Sequence, residues 1–150
     1  MNLKRNIQNI KKNYSLGIIG GGQLALMLAE AANNRGIKVC VQTKSSNDPA
    51  GSKADYVIEA DPLKVKGNKD LIKECEKIIF ENEWIKIEKL NLINSKNIFV
   101  PSLESITPLV DRISQKKLIE RMNLPSPEWI SIKEFKSLDD EEIKEWNFPL

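Results

Sequence analysis

The stretch that decides the fold is Leu16-Gly17-Ile18-Ile19-Gly20-Gly21-Gly22-Gln23-Leu24-Ala25. Leu16 to Ile19 is a short apolar run that fits a buried strand, and the three glycines after it break the run. Beyond them Leu24, Leu26, Met27, Leu28, Ala31 and Ala32 recur at helical spacing, so the segment reads strand, glycine turn, helix. Gly36 closes that helix, because glycine enters the left-handed conformation without a Cβ penalty. Working outward, Ile37 to Val41 is a second β-branched run, and Tyr56 to Ile58 is a third strand. Between them Gln42 to Lys53 is polar, with Asn47, Asp48, Pro49 and Gly51 marking an irregular loop. A helix over Asp70 to Lys77 follows, then a buried strand over Ile78 to Phe80, a helix over Ile85 to Ile93, and a fifth strand over Ile98 to Val100, stopped by Pro101.

Strands and helices alternating at this short spacing require a parallel sheet, since parallel neighbours must be joined by a crossover on the sheet face. The fold class is therefore α/β, a Rossmann-like parallel sheet with helices on both faces. Thr107 and Pro108 suit the N-cap and first turn of a helix running to about Met122. Leu124 to Pro127 is an extended link, Trp129 to Ile132 one more strand, and Ser137 with Asp140 a capping box opening a last helix. The expected organisation is a basic extension over 1–14, a Rossmann-like domain over 15–105, and a linker helix opening a further region over 106–150. The chain stops at Phe148-Pro149-Leu150, directly after the last helix, and reads as cut there.

Composition narrows the chemistry. The 150 residues are 41% hydrophobic and 29% charged, as expected for one ordinary soluble domain. Lys+Arg 23 against Asp+Glu 21 gives a net charge of +2 with the signs interspersed, which argues against a nucleic-acid binder. Only the first fourteen residues are lopsided, with Lys4, Arg5, Lys11 and Lys12 and no acid; this tail reads as solvated. There is no histidine, and the two cysteines, Cys40 and Cys75, have no CxxC spacing. Classical zinc sites, histidine triads and imidazole acid/base chemistry are excluded within this chain. No secretory signal and no apolar run long enough for a membrane span is present, so the expected compartment is the cytoplasm, with reduced thiols.

Gly20, Gly21, Gly22, Gln23, Leu24 and Ala25 match the GxGxxG/A pattern between strand and helix. Small residues there let backbone N–H groups approach an anion while the helix N-terminus supplies partial positive charge, so a phosphate on a substrate or cofactor is the natural guest. The Gln23 amide, both donor and acceptor, suits a polar ligand. An NAD site would want an acid at the end of the second strand, where Gln42, Thr43 and Lys44 stand instead. An NAD(P)-binding regulatory module without catalysis is kept as the alternative. Glu81 and Glu83 directly follow the fourth strand at its carboxyl end, the sheet edge that also carries the glycine turn, and as acceptors they suit ribose hydroxyls or an amine. Asp111, Arg112, Lys116, Lys117 and Arg121 give a basic helix from which Arg112 can reach a nucleotide phosphate. Trp84, Trp129, Trp146 and Phe148, scattered in sequence, read as packing residues rather than a stacking platform.

Taken together, Gly17-Ile18-Ile19-Gly20-Gly21-Gly22-Gln23-Leu24, Phe80-Glu81-Asn82-Glu83, Val100-Pro101-Ser102, Asp111-Arg112 with Lys116, and Leu124-Pro125-Ser126-Pro127 resemble, in this order, the N5-carboxyaminoimidazole ribonucleotide synthetase family of ATP-grasp ligases. The resemblance covers about residues 15 to 150. It implies an ATP-dependent carboxylation of 5-aminoimidazole ribonucleotide by bicarbonate in purine biosynthesis, with a Rossmann-like domain for the ribonucleotide and ATP-grasp domains for ATP and Mg2+. By the same resemblance Gly20, Gly21, Gly22, Gln23 and Leu24 contact the substrate, Glu81 and Glu83 face its ribose or amine side, and Arg112 faces ATP. The partners implied are small molecules and a second copy, as a homodimer; no catalytic residue and no metal ligand is assigned to these 150 residues. The sequence departs from the family where Ala25-Leu26 stand for the usual Gly-Arg, where Thr43 stands for an acid, and where Glu81-Asn82-Glu83-Trp84 stand for Glu-Phe-Glu-Asn. It also ends before the ATP-grasping loops, so the chain by itself is expected to be inactive.

Overall fold

The computed structural model describes residues 12–93 and 97–138. Its first unit, Met1–Thr107, is built on a four-stranded sheet in the order β3-β2-β1-β4: β1 (Tyr14–Ile19), β2 (Val39–Thr43), β3 (Tyr56–Glu59) and β4 (Cys75–Phe80). All three pairings are parallel, with Gly17 opposite Cys40 on one side and Ile78 on the other. Between β1 and β2 runs α1 (Gln23–Asn33), and between β3 and β4 runs α2 (Val65–Glu74). Parallel neighbours force these crossovers onto the sheet faces, as expected from the sequence.

Two packing choices hold the layers. On one face Ala25, Ala29 and Ala32 of α1 are buried against Ile18, Val39 and Val41; the small side chains, four and three residues apart, let the helix lie close to the sheet. On the other, Gly17 leaves room for α2, since a Cβ there would lie 3.0 Å from Leu71 and 2.9 Å from the Cys75 sulfur. Cys40 and Cys75 are both buried and unbridged, and the neighbouring Cys75 thiol together with burial pushes the Cys40 thiol far above its usual range.

Helix ends follow local chemistry. Gly36, at φ +68°, closes α1 as expected, with Ile37 N–H donating to the Ala32 carbonyl at 3.1 Å and Gly36 N–H to that of Asn33 at 2.9 Å. The end of α2 is capped from the chain's start: Lys12 Nζ donates to the carbonyls of Ile72 and Lys73, and Tyr14 already belongs to β1. The helix expected over Asp70 to Lys77 begins earlier and yields to β4 at Cys75. The expected Ile85 to Ile93 helix shortens to α3 (Ile87–Asn91), and α4 (Leu103–Ile106) follows. The fifth strand is reduced to one parallel bridge, Phe99 beside Ile78, with Val100 N–H donating to the Ile78 carbonyl at 2.8 Å. Pro101 has no N–H with which to continue the ladder.

The second unit begins at Pro108. Its main helix, α5 (Arg112–Arg121), starts later than expected from Thr107 and Pro108. The Asp111 side chain caps it by accepting from Ser114 N–H at 2.8 Å, and this bond holds the carboxyl below the usual aspartate range. Thr107 instead turns its hydroxyl back to the Leu103 carbonyl at 2.6 Å. The strand expected over Trp129 to Ile132 does not form. The Trp129 indole donates to Glu120 at 2.5 Å, and Ser131 with Glu134 makes a reciprocal capping box that opens α6 (Ile132–Phe135). The helix expected from Ser137 and Asp140 falls largely outside the described residues.

Candidate ligand cleft at the carboxyl edge of the sheet

Where β1 ends, Gly20 N–H donates to the Gln42 carbonyl at 3.0 Å, and Glu81 N–H donates to the Ile19 carbonyl at 3.0 Å. The two bonds extend the ladders one step beyond the strands and set Glu81 beside the turn. Gly20 has φ +121°, a conformation closed to other residues in practice. A Cβ on Gly20 or on Gly22 would overlap the Glu81 carboxylate, and one on Gly21 would overlap the Thr43 hydroxyl. The glycines are thus required first by two of the chain's own side chains, a reason the sequence pattern did not disclose.

Together Gly20 to Gly22, Thr43, Lys44, Asp48, Asp61, Glu81 and Trp84 line most of a cleft of about 380 Å3. Gly22 serves as N-cap of α1 without a side-chain cap, and the first-turn N–H groups of α1 have no carbonyl of their own helix to bond. Asp48 accepts from the Thr43 hydroxyl and from Ser45 N–H at 3.3 Å, so a carboxylate stands at the end of β2 after all, delivered by the loop instead of the strand. Asp61 accepts from Leu63 N–H at 2.9 Å. Its carbonyl takes the Gln42 amide at 3.2 Å, while Asn68 donates to Gln42 Oε1 at 3.0 Å and to the Pro62 carbonyl at 3.2 Å. Gln42 and Asn68 are buried polar groups satisfied by each other and by this loop, and they hold the cleft wall in place.

The expected site residues do not all converge. Gly20, Gly21, Gly22 and Glu81 line the cleft; Gln23 and Leu24 begin α1, exposed and outside the lining, and Glu83 is exposed and outside it too. Arg112 lies in the second unit, where it donates to Gln115 at 2.6 Å. Asp48, Asp61 and the Gln42–Asn68 pair lie outside the expected site: Asp48 falls in a stretch that reads as irregular loop, Gln42 stands where a dinucleotide site would want an acid, and no motif marks Asp61 or Asn68. Trp84, read as packing, is 78% exposed and lines the cleft. Among the described residues no group of three or more Cys, Asp or Glu is arranged to hold a metal ion. Three carboxylates, Asp48, Asp61 and Glu81, face the single ammonium of Lys44, so the lining is acidic.

An open parallel sheet flanked by helices, with a glycine turn and a cleft at its carboxyl edge, defines a Rossmann-like ligand-binding domain. The chain belongs to the ribonucleotide synthetase preATP-grasp domain family, whose model matches residues 14–108. It is 35% identical over 123 residues to N5-carboxyaminoimidazole ribonucleotide synthase of Synechocystis, covering 81% of this chain and 32% of that protein. Among solved structures, the N5-carboxyaminoimidazole ribonucleotide synthetase of Thermotoga maritima superposes with a TM-score of 0.75 at 29% identity, over 91% of this chain and 37% of that one. The Aspergillus clavatus synthase in complex with ADP and 5-aminoimidazole ribonucleotide superposes with a TM-score of 0.69 at 28% identity, over 78% of this chain and 31% of that one. The chain spans about a third of the length of these relatives.

Proposed function

We propose that this chain is the ribonucleotide-holding N-terminal part of an ATP-grasp ligase that carboxylates 5-aminoimidazole ribonucleotide with bicarbonate. The observation that carries the reading is the Glu81 carboxylate seated against Gly20 and Gly22 at the carboxyl edge of the sheet. An acceptor-only group suits ribose hydroxyls or the ring amine. The acidic lining disfavours a phosphate dianion in the cleft, since like charges at close range raise its energy. The sugar and amine therefore face the glycine turn and the phosphate points away from it, a revision of the phosphate expected there from the glycine pattern. A likeness to the relative solved with 5-aminoimidazole ribonucleotide supports the same substrate. ATP and Mg2+ belong, in this reading, to the ATP-grasp part of such a ligase beyond these residues, with Arg112 as the one ATP contact from this chain. A cytoplasmic homodimer completes the proposal; no helix among the described residues is long and apolar enough to cross a membrane.

A titration tests the reading. The 150-residue chain should bind 5-aminoimidazole ribonucleotide and hydrolyse no ATP, while a chain continued through ATP-grasp domains should release phosphate only with both the ribonucleotide and bicarbonate present. Absence of that dependence rejects the ligase assignment. The NAD(P)-binding alternative gains one observation, the Asp48 carboxylate at the end of β2, where a dinucleotide ribose would be held. Against it, Glu81 occupies the space over the turn that a pyrophosphate would need. Tight binding of NADH, read by its fluorescence, would favour the alternative.

A further inference from the structure

We infer that the Trp84 indole is the surface on which the heteroaromatic ring of the bound ribonucleotide stacks, an inference that rests on the reading of the cleft given above. The side chain is 78% exposed, so the fold gains little from burying it, yet it lines the cleft. The other aromatic side chains of the sheet are already matched: Tyr14 stacks on Tyr56 with ring centres 5.8 Å apart and Phe80 on Phe99 at 5.5 Å, whereas Trp84 enters no such pair among the described residues. Its backbone is held in place. Trp84 N–H donates to the Asn82 side-chain oxygen at 2.9 Å, and the next amide, of Ile85, donates to the Glu83 carbonyl at 2.8 Å. An anchored backbone bearing a side chain with two rotatable bonds offers a large contact face at little loss of conformational freedom.

The lining offers two kinds of surface. Gly20 to Gly22, Asp48, Asp61 and Glu81 supply hydrogen-bonding groups, while Pro49, Pro62, Leu63, Trp84 and Ile85 supply apolar surface, with Leu63 itself 38% exposed. A ligand that carries hydroxyls or an amine together with a flat π-face can use both. Stacking of a ring on an aromatic side chain does not depend on its hydrogen-bond pattern, so Trp84 supplies affinity for the ring while Glu81 reads the sugar or amine.

The test is calorimetric titration of the 150-residue chain with 5-aminoimidazole ribonucleotide, comparing wild type, Trp84→Ala and Trp84→Phe. Truncating a stacking aromatic weakens binding by roughly ten-fold or more. Trp84→Ala should show that loss, Trp84→Phe should recover most of the affinity, and both should melt with the wild type because the side chain is exposed. Trp84→Ala binding within two-fold of wild type overturns the stacking contact and leaves the ribonucleotide reading intact; a wild type that does not bind the ribonucleotide overturns both. Should Trp84→Ala fail to fold, a chain with Trp129 and Trp146 replaced by Phe reads the same contact. Its remaining indole fluorescence must be quenched by the ribonucleotide, and an unchanged emission overturns the inference.

Discussion

Replacing the glycines of the turn one at a time separates two causes that the sequence pattern merges. In Gly20→Ala the new Cβ meets a backbone at φ +121° and lies 2.5 Å from the Glu81 Cβ, an atom that cannot swing away without moving β4. The unfavourable backbone region costs about 1–3 kcal/mol, and overpacking against a fixed atom about 1–3 kcal/mol. Their midpoints together give about 4 kcal/mol, or roughly 15 °C in melting temperature for a domain of this size. In Gly22→Ala the backbone is ordinary, with φ −78°, and the overlap is with the Glu81 carboxylate, the far end of a flexible side chain beside an open cleft. Rotating it away costs about 1 kcal/mol. Thermal unfolding followed by circular dichroism should therefore show a small loss for Gly22→Ala that Glu81→Ala abolishes in the double variant, and a large loss for Gly20→Ala that Glu81→Ala leaves mostly in place. Equal melting temperatures for the two glycine variants, or full rescue of Gly20→Ala by Glu81→Ala, would refute the assignment of the glycines to Glu81 and to the backbone.

Other outcomes follow from the same geometry. Asn68→Ala leaves the buried Gln42 carbonyl oxygen without its donor and should lower stability by about 1–3 kcal/mol, with weaker ribonucleotide binding as the Asp61 loop loosens; unchanged unfolding in urea would count against the network. Cys40 and Cys75 sit on strands separated by β1, hence roughly 10 Å apart in backbone and beyond the reach of a disulfide. Mild oxidation of the native chain should leave its mass unchanged, and both thiols should stay inert to an aromatic disulfide reagent until the chain unfolds. The Asp111 cap is strongest with the carboxylate ionised, so its contribution is complete above the usual aspartate pKa and is lost as pH falls through the lower folded value. Helical signal should decline in that acid window, and Asp111→Ala should remove the share due to α5, leaving the share of the Glu134 capping box, whose carboxyl is lowered in the same way.

Much of the fold could be read from the sequence because hydrophobic period and glycine placement act locally: β1 to α1 to β2, the Gly36 cap and the parallel order follow from adjacent residues. The elements that departed did so where tertiary partners decided. Asp111 outcompeted Thr107 as a cap through one hydrogen bond to Ser114, the 129–132 segment found Glu120 instead of a partner strand, and the fifth strand ended after a single bridge. The site was half legible. Glu81 met the glycine turn because both lie at strand ends, but the chain bends over residues 81–83 once β4 has ended, and Glu83 lies outside the cleft. Asp48 arrives through a loop whose path no periodicity encodes, and the exposure of Trp84 depends on the turn that Asn82 makes.

The most direct measurement is the dissociation constant of 5-aminoimidazole ribonucleotide from the 150-residue chain with Glu81 intact and with Glu81→Gln, which keeps the shape and removes the charge. A hydrogen bond to a charged acceptor contributes about 1–1.5 kcal/mol more than one to the neutral amide that replaces it, so the account predicts binding roughly five- to ten-fold weaker in the variant. Equal or tighter binding to Glu81→Gln would mean that the glycine turn holds an anion which the carboxylate repels, and would contradict the account.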